Sequence, residues 1–262
     1  MLDSDRFVVE SPYVRRARRS QWRHRLICFP YAGAGAAGFA DWPQWLPADV
    51  ELIAVQLPGR EDRIREKPLT TMSALVRTVA LALRPYLQGQ FAFFGHSVGA
   101  VMAYELARAL RDKRGVQPAH LLLSGHVAPD HPVSLKRLHD LPEPEFREAL
   151  RELGGTAGSV VADENLMGLL LPALRADFTL GETYRYAPGE PLSAPITVFG
   201  GDRDERAPLD GLAAWRRHTT GPFAEHVFAG GHFYLNESGA ELAEAIGSAL
   251  GQQTLRQEVR IP

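Results

Sequence analysis

The pentapeptide Gly95-His96-Ser97-Val98-Gly99 lies between an apolar run, Phe91-Ala92-Phe93-Phe94, and a stretch whose apolar residues recur at helical spacing: Val98, Val101, Met102, Leu106, Ala109 and Leu110. In a chain with 24 glycines a G-x-S-x-G pattern alone is weak. Set between a strand and a helix it becomes specific, because a sharp strand-to-helix corner forces the serine into a strained backbone that only small neighbours tolerate. Such a corner lifts the Ser97 hydroxyl above the sheet edge and aims a helix N-terminus at negative charge forming there.

The rest of the chain supplies the sheet that this corner needs. Apolar runs of strand length, Leu26–Phe29, Glu51–Gln56, Phe91–Phe94, His120–Ser124, Ile196–Phe199 and Ala224–Phe228, alternate with helix patterns such as Met72–Leu87 and Glu241–Leu250. Alternation of this kind predicts a mostly parallel central sheet with helices on both faces, and with the Ser97 corner at its edge the chain reads as an α/β-hydrolase fold. With 262 residues, 45% of them hydrophobic, residues 1–262 are expected to form one α/β domain. The first 20 residues and the last ten read as loosely held extensions.

One segment breaks the alternation. From 129 to 195 there are helix-like patterns and no convincing strand, with Pro132, Pro142 and Pro144 at its start. Helical stretches at Glu143–Leu153 and Asn165–Leu180 are separated by Gly154-Gly155-Thr156-Ala157-Gly158. Helices inserted between two parallel strands, over the edge where ligands bind, read as a lid.

A serine at such a corner needs an acid and a base later in the chain, in that order. The run Ile196–Phe199 leads into Gly200-Gly201-Asp202-Arg203-Asp204, and Ala224–Phe228 leads into Ala229-Gly230-Gly231-His232-Phe233. Among nine histidines His232 alone combines a post-strand glycine loop with the right order. Asp204, third after Gly201, is the expected acid, with Asp202 the alternative in the same loop. Asp204 would hold the imidazole tautomer while His232 takes the Ser97 proton. His96, at a tight turn beside the nucleophile, is expected to pack beneath it. The oxyanion donors are assigned to the backbone N–H of Val98, next after the nucleophile, and of Ala32, in the small-residue loop Phe29-Pro30-Tyr31-Ala32-Gly33-Ala34-Gly35.

Other classes fit less well. Gly33-Ala34-Gly35-Ala36-Ala37-Gly38 is a literal G-x-G-x-x-G after a strand, but the next strand ends in Val55-Gln56-Leu57-Pro58 with no carboxylate for a ribose, and only Arg60 could meet a 2′-phosphate. A balance of 29 basic and 31 acidic residues argues against a nucleic-acid surface. Histidines and acids show no zinc-ligand spacing, so no metal is expected. The single cysteine, Cys28, in the apolar run Leu26-Ile27-Cys28-Phe29, reads as a buried thiol in a reducing compartment. No window approaches a membrane span, and the acidic N-terminus with polar residues after Arg18-Arg19 does not read as a signal, which makes a cytoplasmic location the expectation.

Several longer segments resemble the type II thioesterases that accompany polyketide and nonribosomal peptide synthases. Phe29-Pro30-Tyr31-Ala32-Gly33, Gln56-Leu57-Pro58-Gly59-Arg60 with Glu61 and Arg63, Gly95–Ala100, Leu174-Arg175-Ala176-Asp177-Phe178 with Glu182 and Tyr184, and Gly230-Gly231-His232-Phe233 stand in that family's order. The resemblance covers about residues 25–250; Val98 departs from it, since methionine is more usual there. It implies that Ser97 attacks a thioester joining an acyl chain to the phosphopantetheine arm of an acyl or peptidyl carrier protein, and that water releases the acid without a cofactor. It implies an editing role, to which a free-standing length without a carrier domain adds, and the protein is expected to be a monomer. It also places Phe178, otherwise a core residue, and the Arg175/Asp177 pair near the substrate channel. Arg60, Arg63, Arg65 and Lys67 are candidates to meet an acidic carrier. The competing functions are a carboxylesterase or lipase on the same fold and a binding protein without turnover.

Overall fold

The computed structural model describes residues 7–132, 136–155, 160 and 163–258. Of the glycine-rich stretch between the two inserted helices, Thr156, Ala157 and Gly158 lie outside the described residues, as does the acidic N-terminus Met1–Asp5.

Eight strands form one sheet: β1 (Val8–Ser11), β2 (Val14–Ala17), β3 (His24–Phe29), β4 (Val50–Val55), β5 (Gln90–His96), β6 (His120–Ser124), β7 (Ile196–Gly201) and β8 (Phe223–Phe228). Their order across the sheet is β1-β2-β4-β3-β5-β6-β7-β8. Strands β3 to β8 are parallel, with Phe29 opposite Gly95 and His96 opposite Ser124. The carboxyl ends of β3, β5 and β6 are thereby set side by side.

Alternation within each strand distributes the core to both faces. Ile27, Phe29, Phe91, Phe93, Leu121 and Leu123 pack on one side with residues of helices α2 (Met72–Leu83) and α3 (Val98–Arg114). Leu26, Cys28, Ala92, Phe94 and Leu122 pack on the other with the short α1 (Trp42–Trp45) and the C-terminal helix, which spans Gly239–Glu258. Helix α3 ends at Gly115 in the left-handed conformation, φ 64°, which frees the chain to reverse into β6.

The N-terminal segment departs from the expected loose extension. Strands β1 and β2 form an antiparallel hairpin, and β2 pairs antiparallel with β4. Val14 and Ala17 are fully buried, and Glu51 on β4, also fully buried, accepts from Arg16 at 2.7 Å and Arg25 at 2.9 Å. The arginine-rich run therefore carries half of a buried charge cluster, a role that its composition hides.

Between β6 and β7 stand helices α4 (Glu143–Leu153) and α5 (Glu164–Glu182). Asp163 caps α5, its side chain accepting from the N–H groups of Asn165 and Leu166. Phe146, Leu150, Met167, Leu171 and Leu174 give these two helices a small core of their own. A short helix α6 (Leu209–Ala213) follows β7, and Gly239–Glu258 is α7. Among the described residues no helix is long and apolar enough to cross a membrane.

Candidate active site

Strand β5 runs directly into α3, and Ser97 occupies the corner with φ 55° and ψ −126°. A non-glycine residue at positive φ is strained, and the surroundings must hold it there. The Ser97 N–H donates to the Ser124 carbonyl at 2.8 Å, and the Ala100 N–H to the Ser97 carbonyl at 2.9 Å. The flanking glycines are needed for space: a β-carbon at Gly95 would stand 2.1 Å from the Gly99 oxygen, and one at Gly99 would stand 2.5 Å from the Phe29 oxygen.

The loop after β8 brings His232 over this corner. Its Nε2 lies 3.0 Å from Ser97 Oγ, and its Nδ1 lies 2.8 Å from Asp204 Oδ2. With Nδ1–H donating to the carboxylate, Nε2 is left to accept the serine proton. Asp204 is buried, and its other oxygen accepts from the N–H groups of Arg206 and Ala207 at 2.9 and 3.2 Å. Asp202 does something else: half-exposed, it accepts from the Gly230 N–H at 2.8 Å and braces the loop that carries His232.

Beneath the corner His96 is buried and hydrogen-bonds Ser124 Oγ at 2.8 Å, which in turn meets the Tyr234 hydroxyl at 2.7 Å. Burial holds the His96 pKa well below the usual histidine value, so the ring is neutral. Gly125, at φ 59°, leaves the room that His96 fills, since a β-carbon there would lie 2.5 Å from His96 Cε1. Sequence reasoning placed His96 but missed Ser124, Gly125 and Tyr234, whose signal is only a small Ser-Gly pair closing a strand.

The second small-residue loop, after β3, is held by side chains from far away. Its N–H groups at Gly33, Ala36 and Ala37 donate to Asp177, Gln56 and Glu61 at 2.8, 2.7 and 3.0 Å, and those of Ala34 and Gly38 donate within the loop. Ala32 is not among the donors so used, and with Val98, the first residue of α3, it borders the cavity that opens over Ser97. The G-x-G-x-x-G pattern thus has five of its six N–H donors occupied by the protein itself and leads into a single 3-10 turn, Ala36–Phe39, rather than a phosphate-binding helix. Among the described residues no group of histidine, cysteine and acidic side chains could hold a metal ion.

Arg60 and Asp177 form a bidentate pair at 2.7 and 2.9 Å, both about 2% exposed, and Arg60 also donates to the Ala34 carbonyl. Two sequence readings are corrected here. Asp177 pairs with Arg60 and not with Arg175, which donates instead to the carbonyls of His139 and Leu141 and lies over the Phe146 ring. Arg60 and Arg63 cannot meet a carrier, because both are buried; Arg63 is tied to Glu66 and to the Pro12 and Gln56 carbonyls. Of that group only Arg65 and Lys67 are exposed.

The cavity above Ser97 holds about 480 Å³ and is bordered by Ala32, Val98, His126, Phe178, Arg206 and His232. His126 donates Nδ1–H to the Val127 carbonyl, and burial pushes its pKa down to about 4. A second, narrow apolar cavity of about 30 Å³, walled by Leu150, Leu153, Leu174, Phe178 and Phe233, also reaches Ser97 and His232.

An eight-stranded, mostly parallel sheet with this serine corner and histidine loop defines an α/β-hydrolase fold. Residues 24–250 match the thioesterase domain family, and the chain belongs to it. It is 44% identical over 220 residues to the gramicidin S biosynthesis protein GrsT of Aneurinibacillus migulanus, covering 84% of this chain and 86% of that one. It is 42% identical over 228 residues to the thioesterase PikA5 of Streptomyces venezuelae, covering 86% and 80%. The solved type II thioesterase BorB from the borrelidin biosynthetic cluster superposes with a TM-score of 0.86 at 38% identity, covering 93% of this chain and 99% of that one. The protein is a hydrolase acting on thioesters.

Proposed function

We propose that the protein hydrolyses acyl thioesters from the phosphopantetheine arm of carrier proteins in polyketide or nonribosomal peptide synthesis, as an editing enzyme. The observation that carries this reading is the hydrogen-bonded line from Ser97 through His232 to Asp204, in a chain whose relatives serve such pathways. Ser97 Oγ attacks the thioester carbonyl as His232 takes its proton, and the N–H groups of Val98 and Ala32 receive the oxyanion. The C–S bond breaks, and the departing thiolate takes the proton from His232, which leaves the imidazole neutral for the second half of the cycle. Water then gives a proton to His232 and attacks the acyl-serine, and the collapsing intermediate returns that proton to Ser97 Oγ and releases the acid. The cycle uses water and no cofactor.

In this reading residues 129–195 form a helical lid on a single domain. Phe178, on α5 and bordering both cavities, is a wall of the acyl site. The test is hydrolysis of one short acyl group from a phosphopantetheinylated carrier and from an oxygen ester, with wild type and Ser97→Ala. The expected result is preferential release from the carrier and a fall in kcat of about 10⁴-fold or more in the variant. Preference for the oxygen ester would return the protein to general esterases, and turnover that survives Ser97→Ala would remove Ser97 as nucleophile.

A further inference from the structure

The large cavity above Ser97 is unevenly charged. Two acids border it, and both are engaged: Asp177 by Arg60 and the Gly33 N–H, and Glu182 by the N–H groups of Leu138 and His139 and by the His139 ring. The cations that border it are not engaged in the same way. Among the described residues Lys136 and Arg137 make no hydrogen bond or ion pair, and Arg185 reaches only the carbonyls of Glu182 and Tyr184. All three are exposed, which places them at the cavity mouth.

Arg206 is different in position and similar in that its side chain makes no hydrogen bond among the described residues. It is half-buried and borders both cavities with Ser97 and His232. Burial lowers its pKa, and the Glu182 and Asp204 carboxylates nearby offset that loss of hydration only in part. The narrow cavity carries no charged side chain besides Arg206.

A carrier-bound acyl thioester has two unlike ends that meet at the reacting carbonyl. One is a polar, amide-bearing arm ending in a phosphodiester; the other is the acyl chain. A phosphodiester needs cations with free N–H donors, whereas a hydrocarbon chain gains by entering a dry wall of leucines and phenylalanines. The reverse placement would strand the arm's amides among apolar side chains without hydrogen-bond partners.

We infer that Lys136, Arg137 and Arg185, at the mouth of the large cavity, bind the phosphodiester of the phosphopantetheine arm. Arg206 stands at the junction and supplies donors beside the inner, amide-bearing part of the arm. The assignment rests on the carrier-thioester function proposed above.

The test compares kcat/KM for one short acyl group carried on phosphopantetheine, on pantetheine lacking the phosphate and on a carrier protein, using wild type and Arg137→Ala/Arg185→Ala. Both side chains are exposed, and equal thermal unfolding midpoints would show that the double variant folds. Wild type should favour the phosphorylated arm by about 5- to 10-fold, expressed in KM, and in the variant that ratio should fall to about 1. A wild-type ratio of 1, or a ratio that survives the substitutions, overturns the phosphate site. A loss confined to the carrier-borne substrate, with the free-arm ratio intact, also overturns it and assigns these cations to the carrier's surface. Absence of Ser97-dependent turnover of all three thioesters, the carrier-borne one included, would remove the underlying function, and the site with it.

Discussion

Two glycine-rich loops stand side by side at the carboxyl edge of this sheet, after β3 and after β5, and they are held in opposite ways. The elbow at Gly95–Gly99 is written in its own five residues, two glycines that make room for the Gly99 and Phe29 backbone and a serine in the strained conformation between them, with the Ser124 carbonyl as its partner from outside. The loop at Gly33–Gly38 is specified by residues 20 to 144 positions away, with Gln56, Glu61 and Asp177 accepting its N–H groups. A local device can be read from a short pattern. A loop held by distant acceptors looks like a generic glycine motif, and here it imitated a dinucleotide fingerprint.

That contrast can be broken at several points. The largest effect is expected for Gly95→Ala, which drives a β-carbon into the Gly99 backbone. Loss of at least about 3 kcal/mol in urea unfolding should result. A near-neutral outcome would mean that the corner relaxes and that its own glycines do not specify it.

Next comes the remote support of the other loop. Asp177→Asn leaves Arg60 buried without its charge partner and should cost about 3–5 kcal/mol. Arg60→Met/Asp177→Leu removes both charges, so stability should recover in part. If the pair also positions the Ala32 N–H, kcat should stay about 10- to 100-fold down in the double variant. Full recovery of kcat would show that the loop keeps its shape without the pair.

The histidines at the elbow give a smaller, pH-dependent effect. His96 and His126 are both held neutral by burial, His126 with a pKa near 4. A base whose folded pKa is lowered contributes stability that is complete above the unfolded value, about 6.5, and is lost as pH falls toward the folded one. Unfolding free energy should therefore decline between about pH 6.5 and 4, with a slope of at most about 1.4 kcal/mol per unit for each ring. His126→Gln should flatten that slope relative to wild type, and an unchanged slope would remove His126 as its source.

The smallest change is expected at Gly38, the last glycine of the dinucleotide-like pattern. A β-carbon there meets only Ala34 Cβ, at an ordinary 3.8 Å. Gly38→Ala should be neutral or stabilise by at most about 1 kcal/mol. A large loss would mean that this glycine is as constrained as Gly95, which would erase the contrast between the two loops.

Legibility followed the same division. The six parallel strands, the two inserted helices and the geometry that joins Ser97, His232 and Asp204 correspond to short patterns: apolar runs, helical spacing, glycines beside an acid or a histidine. The hairpin at Val8–Ala17 escaped because its two strands are four residues each and half of the second is arginine, with Arg15 paired to Asp62 and Arg16 to the buried Glu51, both distant in the chain. Arg60 and Arg63 were misread as surface cations for a related reason. A sequence shows that an arginine is charged, but not that an aspartate 117 residues later will neutralise it inside the protein.

The amino-acid sequence by itself determined the sheet, the strained corner that presents Ser97 and the order of the residues that serve it, because periodicity, glycine geometry and chain order act over a few residues at a time. Only the tertiary structure decided which aspartate faces His232, which acceptors hold the loop of Ala32, and which cations border the cavity rather than the core. Those outcomes depend on burial and on partners brought together from distant segments, and a carboxylate or guanidinium takes its role from the groups that replace its lost water.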